Sequence, residues 1–301
     1  MIPPLKRREF LQASLALAAT VPAAASARNE EPKRDTLRVA LIADTHTTRA
    51  TKEDQALYIP RFEAVIKAVN AATPDLILFA GDLTQNGKPD EITDFLALSK
   101  RLRAPMRWVP GNHDVGAKHL PGKASGTSAA RNEAYEKSFG SSYFADDVAG
   151  VRVVGINTSV LGSGLPTETE QWRFLDRSLG GNAIRDAKPT IILLHYPPYL
   201  KDEKEPGGDY WNIEPEPRAR LLKLLDGDKT IRTVLSGHLH YPIAYTRGNA
   251  LYHTSAPVSF GLPRGKQPQG WTMITVPLAN KLAQITTAQF HPILDKEEPK
   301  S

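Results

Sequence analysis

The chain has no cysteine among its 301 residues. That absence excludes disulfides, thiolate metal sites and cysteine nucleophiles, so any bound metal must be held by histidine, carboxylate or amide. No segment approaches the roughly twenty consecutive apolar residues that a membrane-spanning helix needs. Basic residues are spread out, and beyond the first few residues no run of five or six occurs, which leaves nucleic acid without an electrostatic footprint. With 41% hydrophobic residues, the chain reads as one large soluble globular domain with enough apolar mass for a core.

The first residues stand apart. "MIPPLKRREFLQASLALAATVPAAASA" joins a basic cluster, a short apolar run and a small-residue end, the pattern of a secretory signal. Its Lys6-Arg7-Arg8-Glu9-Phe10-Leu11 resembles the bacterial twin-arginine export signal, with Ala25-Ser26-Ala27 as cleavage site. The resemblance implies a cleavable signal peptide over 1–27, a periplasmic or secreted location, and the twin-arginine export machinery as a passing partner; the remaining 28–301, with no linker or repeat to split it, reads as a single domain. Losing Lys6, Arg7, Arg8 and Glu9 would lower the formal charge from +5 to +3.

From Asp35 onward, apolar runs alternate with amphipathic segments, as in an α/β domain. Residues 36–43, 75–80, 106–110, 151–159, 190–195, 231–237, 250–255 and 271–278 read as strands. In the segment 57–72, Ile59, Phe62, Val65, Ile66 and Val69 fall at helical steps. Residues 167–180 open with Thr167 three positions before Glu170, a capping-box spacing, and 216–227 reads as a third helix. The last seventy residues carry strand signals alone, which predicts antiparallel strands there. Two long irregular stretches, 115–131 and 201–212, follow histidine-bearing segments, and loops of that length are usually functional.

Five of the eight histidines fall just past a strand signal: His46, His113, His195, His238 and His240. Asp44, Asp82, Asn112 and Asp114 join them at the same strand ends. Each of Gly81, Gly111 and Gly237 precedes one of these blocks and would let the chain turn sharply off its strand. One histidine at a strand end is ordinarily a turn or cap residue, but turns have no use for so many imidazoles. Imidazole, carboxylate and amide oxygen together suit Zn²⁺, Mn²⁺ or Fe. So many candidates are too many for one tetrahedral site and fit two adjacent ions sharing a carboxylate.

Asp44-Thr45-His46, Gly81-Asp82, Gly111-Asn112-His113-Asp114, His195 and Gly237-His238-Leu239-His240, in that order, resemble the five blocks of the calcineurin-like metallophosphoesterases. The resemblance implies a β-sandwich of mixed sheets flanked by helices in a four-layer αββα arrangement, and hydrolysis of phosphomonoesters or phosphodiesters. It implies that Asp44, His46, Asp82 and His240 bind one metal ion and that Asp82, Asn112, His195 and His238 bind a second, with Asp82 bridging. His238 and His240 would then reach different ions from an extended backbone, with Leu239 turned into the core. Two divalent ions with two carboxylates and a bridging hydroxide leave a centre of small positive charge, attractive to phosphate, with the hydroxide as nucleophile. His113 would serve as general acid, and Asp114 would orient its imidazole or cap a turn.

Gln85 stands where the purple acid phosphatases of this superfamily carry tyrosine, so no iron-tyrosinate chromophore is expected. The "ADTH" and "GNHD" blocks are similar to the cyclic-nucleotide phosphodiesterase branch, and 195–240 has a looser likeness to protein Ser/Thr phosphatases. A metal-binding or partner-binding module on the same fold, and a nuclease, are the alternatives. The expected substrate is a small phosphate ester. Tyr196, Tyr199, Tyr210, Trp211 and Tyr241 are candidates for stacking on it, and Lys118, Lys123, Arg264 and Lys266 for contacting its anionic groups. His119, His253 and His291 match no block and read as structural.

Overall fold

A computed structural model describes residues 35–120, 126–179, 188–278 and 285–293. The signal-like residues 1–27 and Lys123 lie outside the described residues. In chain order the elements are β1 (Thr36–Ile42), α1 (Tyr58–Ala72), β2 (Leu76–Ala80), α2 (Pro89–Ser99), β3 (Met106–Val109), α3 (Asn112–Val115), α4 (Ala129–Phe139), β4 (Phe144–Val148), β5 (Val151–Gly155), α5 (Pro166–Leu179), β6 (Thr190–Leu193), α6 (Pro215–Gly227), β7 (Ile231–Ser236), β8 (Ile243–Arg247), β9 (Ala250–Thr254), β10 (Gly270–Pro277) and β11 (Thr287–Pro292).

The strands form two mixed sheets, ordered β11-β10-β1-β2-β3 and β4-β5-β6-β7-β9-β8. Each sheet has a parallel centre, β1-β2-β3 in one and β5-β6-β7-β9 in the other. The late strands add antiparallel edges, β10 on β1 with β11 beyond it, and β8 on β9. Those edges are where the helix-free end of the sequence predicts them.

Period-two alternation explains the layering. Along β1, Leu37, Val39 and Leu41 enter the core between the sheets with Leu76, Leu78, Ile191, Leu193 and Leu235, whereas Ala40 and Ile42 face the opposite way. Those outward side chains meet Phe62, Val65 and Val69 of α1, Phe95 of α2 and Tyr135 of α4. On the other sheet Val154, Ile192 and Val234 meet Trp172 and Leu175 of α5 and Leu221 and Leu225 of α6. Strands buried on both faces read as unbroken apolar runs, which is why LILFA and TIIL carry no polar residue beyond a leading threonine. The result is helices, sheet, sheet, helices.

Three local expectations change. Tyr58 and Arg61 are buried along α1 while Ile59 is half-exposed, because the apolar stripe starts one residue earlier. α5 begins at Pro166, so Thr167 lies inside the helix and forms no capping box; proline is well suited to a first helical position. The stretch 115–131 holds the start of α4, whose Ser128 side chain caps Arg131 N–H.

His253 sits on β9 with 8% of its surface exposed, its Nε2 3.4 Å from Thr272 Oγ1 and its Nδ1 without a hydrogen-bond partner among the described residues. Burial lowers its pKa from 6.5 to about 4. An imidazole harder to protonate when folded leaves stability intact above pH 6.5 and removes it as the pH falls toward 4. Relative to the wild type, His253→Gln is expected to abolish about 3 kcal/mol of acid sensitivity across that window. Denaturation midpoints at pH 7 and pH 4 that shift equally in both proteins would refute this.

Candidate metal centre

Parallel strands deliver every block to one edge. Asp44 and His46 follow β1, Asp82 follows β2, Asn112 opens α3 after β3, His195 follows β6, and His238 with His240 follow β7. All seven are buried, Asn112 most exposed at 7%. Carboxyl ends of parallel strands are the usual ligand edge of an open α/β sheet, and here the edges of both sheets converge.

The backbone at this edge is unusual. Asp44, His46, Asp82, His238 and His240 have φ between 45° and 75°, a left-handed region uncommon outside glycine, though aspartate and histidine enter it more readily than most residues. Such conformations persist where surrounding bonds impose them, and cluster at functional sites. Here the constraints are visible: Asp44 N–H donates to Gly81 O at 3.1 Å, His46 N–H to Asp82 O at 2.9 Å, and Gly237 N–H to His195 O at 3.1 Å. His238 N–H donates to the Asp44 carboxylate at 3.0 Å. The two histidines of "GHLH" therefore reach apart from a tight turn, not from an extended strand, while Leu239 between them is fully buried.

The neighbouring glycines serve close approach more than turning. Gly81 alone of the three has a positive φ, at 82°. A Cβ on Gly111 would lie 2.1 Å from Asp82 Oδ1, and one on Gly237 would lie 2.8 Å from Asp44 Oδ2. Any side chain at either position would displace a carboxylate.

The side chains form two clusters, Asp44, His46, Asp82 and His240 in one and Asp82, His195 and His238 in the other. Asp82 belongs to both through different atoms: Oδ2 lies 3.4 Å from His46 Nε2, and Oδ1 lies 3.4 Å from His195 Nε2. Asn112 joins the second cluster, its Oδ1 3.0 Å from His195 Nε2.

The hydrogen bonds of the imidazoles fit a metal. Each ring has one nitrogen on an oxygen outside the clusters: His46 Nδ1 on Gln85 Oε1 at 3.1 Å, His195 Nδ1 on Ala80 O at 2.8 Å, His238 Nε2 on Tyr210 O at 3.2 Å, and His240 Nδ1 on Phe260 O at 2.5 Å. A carbonyl takes a proton from its partner nitrogen, which leaves the inward nitrogen a lone pair. Those inward nitrogens face each other, His46 Nε2 to His240 Nε2 and His195 Nε2 to His238 Nδ1, both at 3.2 Å. Opposed lone pairs repel unless a cation lies among them.

Charge makes the same point. Burial, and then the neighbouring Asp82, push the Asp44 carboxyl up to about 8 against the pull of His195. Burial also lowers His46 and His238 well below 6.5, and His240 to about 4. Asp82 resists burial, held well below the carboxylate range by His195, His113 and His46. Against its own burial, His195 is raised to about 9 by Asp82. A cation between them would take over that role and release the proton.

His113 is half-exposed, its ring centroid 4.5 Å from that of His46. Its Nδ1 lies 2.6 Å from Gln85 O and its backbone N–H donates to Asp82 Oδ1 at 2.9 Å. The orienting partner is thus Gln85 and not Asp114, for which the sequence also left the role of a cap open. Asp114 instead accepts from the N–H groups of Leu83, Thr84 and Gly111 at 3.1, 2.9 and 2.8 Å and from Thr84 Oγ1 at 2.7 Å. It clamps two ligand-bearing loops together, the turn-cap role.

Of the proposed stacking residues, Tyr196 and Tyr199 lie in the core and Trp211 and Tyr241 are half-buried; Tyr210, 37% exposed, lies against the second cluster, its phenol oxygen accepting from Asn112 Nδ2 at 2.8 Å. Lys118 is 3% exposed and bound to Glu214 at 2.8 Å and to Asn212 O, so it is unavailable to a substrate. Arg264 stacks 4.0 Å above Phe260, whose ring lies 4.2 Å from that of His240, while Lys266 is exposed. Gln85 and the carbonyls of Ala80, Tyr210 and Phe260 were invisible as site groups in the sequence, because three of them are backbone atoms and Gln85 registers there only as a missing tyrosine.

Residues 37–242 match the family model for calcineurin-like phosphoesterases. The chain belongs to that family. This calcineurin-like phosphoesterase is a metal-dependent phosphoric ester hydrolase, in a family that uses divalent metal ions. It is 25% identical over 248 residues to a probable cyclic nucleotide phosphodiesterase of Synechococcus, covering 78% of this chain and 86% of that one. It is 29% identical over 170 residues to a probable glycerophosphodiester phosphodiesterase of Arcobacter nitrofigilis, covering 56% and 57%. A dimetal phosphatase from Danio rerio shares the fold, with a TM-score of 0.53 at 10% identity over 84% of this chain and 98% of that one.

Proposed function

We propose that this phosphoesterase hydrolyses small phosphodiesters with two divalent ions, one held by Asp44, His46, Asp82 and His240 and the other by Asp82, Asn112, His195 and His238. The observation that carries the reading is the placement of the two Asp82 oxygens, one toward each cluster. When bound, the ions supply Lewis acidity that activates water and neutralises phosphate charge. The hydrogen bonds from the outer imidazole nitrogens hold four lone pairs inward before any substrate arrives. His113, with Nδ1–H committed to Gln85 O, keeps Nε2 for the leaving oxygen. The preference for diesters is supported by the two relatives, both named as phosphodiesterases.

The test is hydrolysis of bis-p-nitrophenyl phosphate and p-nitrophenyl phosphate by metal-stripped protein reloaded with Mn²⁺, Zn²⁺ or Fe²⁺, with 3′,5′-cyclic AMP and a glycerophosphodiester as further substrates. Metal-dependent turnover favouring the diesters is expected. A folded, metal-loaded protein that prefers the monoester would overturn the substrate class, and one that hydrolyses neither ester would overturn the reading. The Arg7-Arg8 pair adds export to the proposal on its sequence pattern alone. Cell fractionation tests it: an Arg7→Lys, Arg8→Lys variant found outside the cytoplasm as fully as the wild type would remove it.

A further inference from the structure

The stretch between β6 and α6 carries no helix or strand, yet carboxylates fix its shape. Glu205 accepts from the N–H groups of Leu200, Lys201 and Asp202 at 2.9, 2.6 and 3.0 Å and from the Asn212 amide at 2.7 Å. Glu214 accepts from Gly208 N–H at 3.0 Å and from the Lys118 ammonium at 2.8 Å. Charge-assisted bonds of this kind are among the stronger ones a loop can make. They hold Tyr210 over the second cluster.

Tyr210 meets that cluster in three ways. Its carbonyl accepts from His238 Nε2 at 3.2 Å, its ring centroid lies 4.7 Å from that of His238, and its phenol oxygen lies 2.8 Å from Asn112 Nδ2. An amide nitrogen can only donate, so the phenol oxygen is the acceptor in the third contact and its own proton points elsewhere. Among the described residues that proton has no other hydrogen-bond partner. A phenol, whose ordinary pKa is about 10, keeps its proton through the neutral range. A neutral donor therefore stands beside the amide whose oxygen faces His195, and part of its surface is open to solvent.

We propose that Tyr210 is a further catalytic residue, whose phenol donates a hydrogen bond to a nonbridging oxygen of the substrate phosphate at the second metal position. This rests on the phosphodiesterase reading above. The same phenol oxygen fixes the Asn112 amide so that Oδ1 and not Nδ2 faces the cluster, which places one residue at the service of both ligand and substrate.

Tyr210→Phe keeps the ring against His238 and removes only the hydroxyl. In the metal-loaded full chain, metal content is expected to stay at the wild-type level, kcat on bis-p-nitrophenyl phosphate to fall about 10- to 100-fold, and the calorimetric Kd for inorganic phosphate to weaken by about tenfold. Wild-type values of both quantities would overturn the proposal. So would loss of one ion with the full rate restored by excess metal, since Tyr210 would then only position Asn112. If the wild type itself hydrolyses no ester, the functional reading fails, and the phosphate Kd ratio between the two proteins still decides whether the phenol binds the anion.

Discussion

Asp82→Ala is expected to deplete both metal positions together and to lower kcat/KM by more than about a thousandfold, the scale of the several kcal/mol that a Lewis-acid centre supplies. No other candidate ligand has this reach, because the remaining six belong to one cluster each while the two Asp82 oxygens face opposite clusters. The carboxylate is also fully enclosed at 1% exposure, so water that entered its place would not restore the charge. Elemental analysis of the folded variant, alongside His46→Ala and His195→Ala, checks the prediction. The two histidine variants should each retain more metal than Asp82→Ala. Near-stoichiometric loading of both positions in Asp82→Ala would show that the clusters bind ions independently.

The metal-binding candidates were legible in the sequence because the chemistry is local to strand ends. A five-residue apolar run such as LILFA, bounded by Pro74 and Gly81, reads as a buried strand, and whatever follows its last residue arrives at the carboxyl edge, so the pattern places Asp82. The weaker elements were not legible. β4 is FADDV and β11 is TAQFHP, each with polar residues at several positions, and they form because a neighbouring strand offers an edge to pair with. α2 opens with Pro89 after the cap residue Lys88 and has Glu91 buried against Thr48 and Asn86, so its first turn is set in part by a contact 43 residues away and not by periodicity. Within the site, sequence order suggested Asp114 as the neighbour of His113. Chain direction inside α3 sends the two side chains apart: Asp114 back across the loops after β2 and β3, and His113 toward Gln85 and His46. Adjacent residues on a helix do not share a face.

His113→Ala is the second large effect expected, a loss of about 10²–10⁴ in kcat with metal content unchanged. The variant isolates the side chain, because the His113 N–H bond to Asp82 Oδ1 is made by the backbone and survives in alanine. What is lost is an imidazole with Nδ1 on a carbonyl, leaving Nε2 as the nitrogen that can pass a proton. Proton donation matters most when the leaving oxygen is basic. The deficit should therefore be largest for alkyl diesters and smallest for p-nitrophenyl esters, whose leaving group departs as a stable anion. Gln85→Ala should leave the trend in place with a smaller loss, since the Gln85 carbonyl that orients His113 remains, while the amide holding His46 Nδ1 is removed. A His113→Ala deficit that is the same for every leaving group would assign the imidazole to packing against His46 and take the proton-donor role away from it.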